Sequence, residues 1–242
     1  MEEYIGVDGC KAGWFAVGLA PTGAWRFDVY SDFAALWASC QAASLILVDI
    51  PIGLVEVGYD GRQCDAIARR LLGPGRASSV FTPPTRPALD AADYQAASAI
   101  NRALTGKSIT IQSWNIGPKI RQVDLLLRNE QRARGKVHEA HPELLFWALN
   151  GRRAMTRRKS RLSGYDERLA VLKRHFEAAE ALAEAALSRY RRSEVARDDI
   201  LDAMVAAVSG YMSRGQLSAI PADPPCDAYG LAMEMVYYEP GS

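Results

Sequence analysis

Four acidic side chains, far apart in the chain, have the types and the spacing that could do chemistry together. Asp8 and Asp49 each end a short apolar run that has the pattern of a buried strand. If those two strands are neighbours, the two carboxylates lie about 4.8 Å apart, which is the spacing of strands in a sheet. Like charges this close share either a proton or a cation.

The other two acids lie late in the chain. Asp199 and Asp202 are i,i+3 in a predicted helix, and Asp198 and Asp202 are i,i+4, so either pair shares a helix face. Beside them runs an apolar stripe that would hold the helix against the core, formed by Leu201, Met204, Val205 and Val208. Taken singly, each acid is explained as a turn residue, a cap or a partner of the helix dipole. Together they predict a site for one or two Mg²⁺ or Mn²⁺ ions, which prefer carboxylates and water.

Other polar groups could complete such a site. Glu139 and Glu143 flank a predicted strand, and either is a candidate outer ligand or base, although a place in the first turn of a helix explains Glu143. His141 is a candidate for proton transfer. Arginine forks, lysines and hydroxyls bind phosphate, and the candidates are Lys11, Arg62, Arg69, Arg76, Ser78, Ser79, Arg86 and Lys119. For Arg62, an ion pair with Asp65 or Glu56 is the structural alternative.

The elements that must position these groups alternate between strands and helices. Turn residues and apolar periodicity predict strands at 3–8, 13–20, 24–30, 45–49, 136–140 and 231–238. They predict helices at 32–43 with Ser31 or Asp32 as N-cap, and at 63–72, 91–104, 116–132, 142–149, 165–190 and from a Ser193 cap to about 213. With that cap, Asp198 and Asp202 would lie beyond the first helical turn. The chain is thus expected to be one α/β domain, 1–242, with a helical insert at 55–135.

The charge is unevenly distributed, although the net charge is only +1. Residues 100–161 contain 14 Lys/Arg against 4 Asp/Glu, whereas the segments on either side are acidic. A basic middle is typical of a surface that a polyanion crosses, so nucleic acid is the expected partner. Solvated helix faces with spare arginines explain the same distribution equally well.

The composition indicates in which cellular compartment the protein is expected. The chain has 242 residues, 49% hydrophobic and 24% charged, which is typical of a soluble globular protein. No apolar run approaches the roughly 20 residues that span a bilayer, and the acidic start Met1-Glu2-Glu3 is unlike a signal peptide. Four scattered cysteines without a CxxC pair indicate reduced thiols. We therefore expect a cytoplasmic protein with no membrane partner; a homo-oligomer stays open.

Six segments, taken in order, carry a specific resemblance. They are Gly-Val-Asp-Gly-Cys-Lys-Ala-Gly-Trp at 6–14, Asp-Ile-Pro-Ile-Gly-Leu at 49–54, Arg-x-Cys-Asp-x-x-Ala-Arg at 62–69, Arg-Ala-Ser-Ser-Val-Phe at 76–81, His-Pro-Glu at 141–143 and Asp-Asp-Ile-Leu-Asp-Ala at 198–203. In this order they resemble the DUF429 family of predicted RNase H-like nucleases, over nearly the whole chain. The resemblance implies an RNase H-like fold: a five-stranded mixed sheet in order 3-2-1-4-5, flanked by helices, with a helical insert after the fourth strand.

The resemblance also implies which acids matter. The wider superfamily, which includes the RuvC Holliday-junction resolvases, has one acid on the first strand, one after the fourth and one or two on the last helix. The matching positions here are Asp8, Asp49, and Asp199 with Asp202. The second of these acids is often Glu in the superfamily; here it is Asp, one methylene shorter.

Three functions follow as hypotheses. The leading one is a Mg²⁺- or Mn²⁺-dependent nuclease, in which metal held by the four acids activates water and stabilises the departing oxygen. An alternative is a non-catalytic nucleic-acid or phosphate-binding protein that keeps the fold. A further alternative is an actin/hexokinase-like phosphotransferase, which is disfavoured because that class needs two such domains and 242 residues hold one. The sequence leaves DNA versus RNA open.

Overall fold

A five-stranded mixed sheet, in order β3-β2-β1-β4-β5, forms the centre of the computed structural model, which describes residues 2–240. Its strands are β1 (Tyr4–Cys10), β2 (Gly13–Leu19), β3 (Trp25–Tyr30), β4 (Leu45–Val48) and β5 (Val137–Glu139). A separate antiparallel pair joins β6 (Ser218–Ile220) to β7 (Met235–Tyr237). β1 pairs with β2 in the antiparallel sense and with β4 in the parallel sense. The predicted sheet and its strand order are confirmed.

Helices cover both faces of this sheet. They are α1 (Phe33–Cys40), α2 (Gln63–Leu72), α3 (Arg86–Leu89), α4 (Tyr94–Thr105), α5 (Ile111–Asn129), α6 (Gln131–Arg134), α7 (Pro142–Leu149), α8 (Leu162–His175), α9 (Ala179–Arg189) and α10 (Arg197–Ser213). Apolar residues of α1 and α5 pack on one face, and those of α2 and α7 to α10 pack on the other. Among the described residues, no helix has the length and apolarity to cross a bilayer.

The alternation of side chains decides where the strand-end acids lie. Successive residues of a strand point to opposite faces of a sheet. In β1, Ile5 and Val7 belong to the core shared with α1 and α5, whereas Tyr4 belongs to the core shared with α10. In β4, Leu45 and Leu47 also belong to the core on the α10 side. Continuing each alternation puts Asp8 and Asp49 on the sheet face that α10 covers.

The prediction of one long helix over 165–190 was wrong. The chain leaves α8 at Phe176, whose backbone is extended (φ −145°), and begins α9 at Ala179. Phe176 is buried, and its ring lies 6.0 Å from that of Tyr211 in an edge-on contact. Burial of this aromatic ring therefore turns the chain into the core and breaks the helix.

The predicted cap of the last helix was also wrong. The N-cap of α10 is Ala196, not Ser193. The amide of Ala196 donates to Oδ2 of Asp199 at 2.8 Å. The side chain of Asp199, inside the helix, therefore accepts a hydrogen bond at the helix start, where the sequence predicted a serine cap. Asp198 and Asp199 consequently lie in the first turn, where they complement the helix dipole. Asp32, in contrast, caps α1 as predicted, because its Oδ1 accepts from the amide of Ala35 at 2.8 Å.

The segment between β4 and β5 is helical. It contains α2 to α6, and the chain between α2 and α3 includes a 3₁₀ turn at Ala77–Ser79. The C-terminal strand predicted at 231–238 is present as β7, in a sheet of its own with β6, which the sequence did not predict. The segment between β4 and β5 therefore begins at the carboxyl end of β4, where the acids are, and ends at the opposite edge of the sheet, where the parallel strand β5 begins.

Candidate metal centre

Asp8 and Asp49 lie side by side at the carboxyl ends of two parallel strands. Val7 is paired with Val48, and the amide of Asp49 donates to the carbonyl of Val7 at 3.0 Å. Asp8 is only 8% exposed, and its Oδ1 accepts from the amide of Gly9 at 2.7 Å. Neither Oδ2 of Asp8 nor the carboxylate of Asp49 accepts a hydrogen bond from the described residues. Both side chains thus keep oxygen atoms available for a cation.

The helix α10 brings two more carboxylates to the same place. Asp202 is buried, at 2% exposure, and Asp199 is partly buried. Both act on the pKa of Asp8, so they lie within electrostatic range of it. We name Asp8, Asp49, Asp199 and Asp202 the carboxylate cluster. The sheet and α10 bring together the four acids that the sequence singled out.

The carboxylate cluster has too little positive charge. Burial, together with the negative charge of Asp49 and then of the two α10 acids, raises the pKa of Asp8 well above its ordinary value. Burial is also the main cause that raises the pKa of Asp49 to about 6 and that of Asp199 to about 6. Such shifts mean that the protein stabilises the ionised carboxylates less well than water does. A further cation would stabilise the ionised carboxylates and so lower these pKa values.

One cation, which the sequence did not predict to reach this place, already contacts the carboxylate cluster. The ammonium of Lys159 lies 2.7 Å from Oδ2 of Asp202 and 3.9 Å from Oδ2 of Asp198. The charge of Asp202 is the main cause that raises the pKa of Lys159. Lys159 belongs to the basic stretch 151–161, which has six Lys/Arg and no acid. Such a composition is typical of an exposed loop, and Lys159 is itself partly exposed while its ammonium contacts the acids, which nothing in the composition indicates.

Glu139 and Glu143, the proposed outer ligands, are held in buried ion pairs. Glu139 Oε2 accepts from Nη2 of Arg62 and, at 2.7 Å, from the amide of Ile52. Glu143 Oε1 accepts from Nη2 of Arg168. Both arginines are 2% exposed or less. Since a buried charge needs a partner of this kind, we assign both glutamates a structural role.

His141 lies beside the carboxylate cluster. Its Nε2 is 3.2 Å from the carbonyl oxygen of Ser79, so this nitrogen donates and carries the hydrogen. Its Nδ1 is buried and has no partner among the described residues. His141 is close enough to Asp49 that its charge opposes the rise in the pKa of that carboxyl. Nδ1 can therefore accept a proton next to the carboxylate cluster.

Several of the proposed phosphate-binding residues already pair with other groups of the protein. Arg62 pairs with Glu139, as described above, and lies 3.8 Å from Asp65. Arg86 is buried and pairs with Asp124, Asp227 and Glu56. The ammonium of Lys119 donates to the carbonyl of Gly13 and lies 4.6 Å above the ring of Trp14.

The remaining candidates divide between structural contacts and open positions. Arg76 Nε donates to the carbonyl of Met155 at 2.7 Å, and the hydroxyl of Ser79 donates to the carbonyl of Arg76 at 2.8 Å. Arg69 and Ser78 line a cavity of about 410 Å³ in the helical segment, where Arg69 also donates to the carbonyl of Val80. Lys11 is exposed. These three residues remain accessible to an anion.

Exposed arginines lie in the chain beside Lys159. Arg157, Arg158 and Arg161 are exposed, and their guanidinium groups make no hydrogen bond or ion pair with the described residues. An arginine without a protein partner is free to bind phosphate through its planar fork. The stretch that delivers Lys159 to the acids therefore also presents these arginines to solvent.

The donor chemistry and the charge of the carboxylate cluster fit a hard divalent ion. Mg²⁺ and Mn²⁺ take oxygen ligands, and the cluster offers carboxylates with raised pKa values and, on the buried residue Asp8, an oxygen without a hydrogen-bond partner among the described residues. As the side chains stand, however, no group of three or more His, Cys, Asp and Glu residues in the described part of the chain is arranged to hold a metal ion. One oxygen of Asp202 is engaged by Lys159.

Comparison with known proteins gives a family and nothing more specific. No curated protein matches the chain, and no solved structure matches it. The family described as "Protein of unknown function (DUF429)" matches residues 6–225. That span contains the whole carboxylate cluster, Lys159 and the free arginines. The chain therefore belongs to the DUF429 family.

Proposed function

We propose that this protein is a divalent-metal-dependent nuclease with an RNase H-like fold, which hydrolyses phosphodiester bonds of nucleic acid. The observation that carries the proposal is the meeting of carboxylates from β1, β4 and α10 at one end of the sheet, with too little positive charge around them. A bound Mg²⁺ or Mn²⁺ ion would supply a nucleophilic water and charge on the departing oxygen. The strand order agrees with this fold.

The chain's own residues have distinct tasks in this proposal. Asp8 and Asp49 hold the cation, because Oδ2 of Asp8 and the carboxylate of Asp49 accept no hydrogen bond from the described residues. Asp199 fixes the start of α10 through the amide of Ala196 and so sets the position of that helix. The buried Nδ1 of His141 accepts a proton.

The free arginines extend the site toward a polyanion. Arg157, Arg158 and Arg161 precede α8, in the same stretch as Lys159, and would bind phosphates next to the scissile one. Phosphate contacts of this kind fix the register of a nucleic acid without reading its sequence. We therefore expect binding that depends on salt and hardly on base sequence.

A non-catalytic binding protein is the second candidate. The ion pair of Lys159 with Asp202 favours it, because an ammonium of the protein already neutralises one carboxylate that a metal would otherwise use. Such a protein would still bind nucleic acid through the free arginines. It would do so without metal and without cleavage.

Cleavage assays separate the two candidates. Labelled single- and double-stranded DNA and RNA are incubated with the wild type, with Asp8→Asn and with the control Asp223→Asn, an exposed acid, in Mg²⁺, Mn²⁺ or chelator. The nuclease proposal predicts metal-dependent products that Asp8→Asn reduces by about a hundredfold or more, equivalent to about 3 kcal/mol of transition-state stabilisation. Full cleavage by Asp8→Asn contradicts the proposed mechanism. Metal-independent binding without products favours the second candidate.

A further inference from the structure

The loop that carries Lys159 is held in place from several sides. The amides of Thr156 and Arg157 donate to the carboxylate of Glu167 at 2.9 and 2.8 Å. Nη1 of Arg168, a buried side chain, donates to the carbonyl of Arg157 at 3.2 Å. These contacts fix the backbone two residues before Lys159.

The backbone next to Lys159 is also packed closely on α8. A Cβ added at Gly164 would lie 2.0 Å from the carbonyl oxygen of Arg158 and 3.1 Å from the amide nitrogen of Lys159. Glycine is therefore required at this point for the loop to lie where it does. A loop that is hydrogen-bonded and packed on both sides of one lysine positions that lysine more firmly than an open surface loop would.

Lys159 divides the carboxylate cluster into two halves. On the α10 side, its ammonium lies 2.7 Å from Asp202. On the sheet side, Oδ2 of Asp8 has no hydrogen-bond partner among the described residues, although Asp8 is more than nine-tenths buried. Asp49 likewise accepts no hydrogen bond there. The ammonium thus hydrogen-bonds a carboxylate on the α10 side, whereas on the sheet side only its charge acts, by opposing the rise in the pKa of Asp8 and of Asp49.

We propose that Lys159 is a resident cation of the carboxylate cluster, in the place where a second metal ion would otherwise bind, so that the centre takes one divalent ion, at Asp8 and Asp49. This inference rests on the proposed function. Carboxylate sites with two metal ions use the pair to neutralise charge on both sides of a phosphate. Here a fixed ammonium, a compact point charge with three donors, supplies that charge on one side.

The electrostatics disfavour a second ion while Lys159 is in place. With all four acids ionised, one divalent ion and the ammonium leave the carboxylate cluster one unit negative, and two divalent ions and the ammonium leave it one unit positive, so it is the repulsion between the ammonium and a second ion that decides. A unit charge and a double charge about 6 Å apart repel by several kcal/mol at an effective dielectric constant of about 20. Binding of a second ion therefore requires either removal of Lys159 or its release into solvent.

The test is the number of Mn²⁺ ions bound per chain, measured by electron paramagnetic resonance and by calorimetry on the full-length protein. Lys159→Met removes the ammonium and keeps most of the side-chain length; because 45% of the lysine side chain is exposed, we expect the variant to fold. The control is Lys173→Met, which removes a lysine from an exposed pair with Glu180. Wild type and control should bind one ion. Lys159→Met should bind two, the first at least about tenfold more tightly, because the repulsion has gone.

Each other outcome overturns the inference in a recognisable way. Two ions bound to the wild type would mean that Lys159 leaves the cluster, and metal-dependent cleavage by that protein would keep the proposed function intact. One ion bound to Lys159→Met, with unchanged affinity, would mean that the lysine has no influence on metal binding. No ion bound to the wild type would overturn both this inference and the proposed function. If Lys159→Met fails to fold, the wild-type stoichiometry still decides between one ion and two.

Discussion

Gly6 of β1 lies backbone to backbone against Ala203 of α10. A Cβ added at Gly6 would lie 2.1 Å from the carbonyl oxygen of Ala203 and 2.2 Å from the amide nitrogen of Ala207. Real Cβ atoms do not approach backbone this closely, so β1 has no room for a larger residue under α10. Asp8 is two residues along the same strand face, and Asp202 adjoins Ala203. The glycine therefore sets how near the carboxylates of β1 and α10 come to each other.

Gly6→Ala should consequently damage both the fold and the site. The added methyl group must push α10 away from the sheet, and overpacking of this kind costs about 1–3 kcal/mol or more. Mn²⁺ affinity should fall as well, because Asp202 moves away from Asp8. Urea unfolding and Mn²⁺ titration measure the two effects. Gly75→Ala is the matched control, since its Cβ meets nothing within 4 Å; wild-type stability and affinity in Gly6→Ala would contradict this role.

Asp49 should destabilise the metal-free protein at neutral pH. Burial raises its pKa to about 6 in the folded chain, above the roughly 3.9 of an unfolded aspartate. The folded state therefore holds the proton more tightly, so the contribution of Asp49 to stability is present below about pH 4 and is lost as the pH rises through about 6. In chelator near pH 7.5, Asp49→Asn should raise the free energy of unfolding by about 1–2 kcal/mol. At about pH 4.5 the gain should largely vanish.

Urea midpoints of the wild type and Asp49→Asn, taken across that pH range, measure the difference directly. Asp223→Asn serves as the control, because Asp223 is exposed and outside the carboxylate cluster. The prediction is contradicted if the urea midpoints of the two proteins differ equally at both ends of the pH range. It is also contradicted if Asp49→Asn is less stable than the wild type at neutral pH, because the neighbours would then stabilise the ionised carboxylate.

The free arginines should determine the salt dependence of nucleic-acid binding. Removing one arginine that binds a phosphate reduces the slope of log affinity against log salt by about 0.7–0.9. Arg158→Gln should thus flatten the slope by nearly one unit, and Arg157→Gln and Arg161→Gln should do the same. Arg132→Gln is the control: Arg132 is exposed but lies in α6, just before β5, and so at the end of the sheet opposite the acids. Equal slopes for Arg158→Gln and Arg132→Gln would exclude the loop as the binding surface.

The part of the site that the sequence predicted depends on local pattern. Asp8 and Asp49 follow apolar runs whose period fixes them to one sheet face, and parallel neighbours end at the same edge. Asp202 adjoins an apolar stripe that packs the helix on that face. Such patterns need no knowledge of distant contacts, which is why these three acids could be predicted together, whereas the strand order was implied by the family resemblance.

The rest depends on contacts between residues distant in sequence. Lys159 reaches Asp202 because Glu167 and Arg168 hold its loop, and no spacing in a run of basic residues shows which one contacts the acids. Arg62 had two acidic neighbours in sequence, yet its closest partner is Glu139, brought there by β5. The break between α8 and α9 likewise follows from the burial of Phe176, which helix propensity does not register.

The central claim, that carboxylates of β1 and β4 form a divalent-metal centre, is tested most directly by calorimetric Mn²⁺ binding to the wild type, to the double variant Asp8→Asn/Asp49→Asn and to Asp223→Asn. We predict that the wild type and Asp223→Asn bind the ion with the same affinity and that the double variant loses about a hundredfold or more, which corresponds to at least about 2.8 kcal/mol. Equal binding by all three proteins, or no binding by the wild type, would contradict the claim.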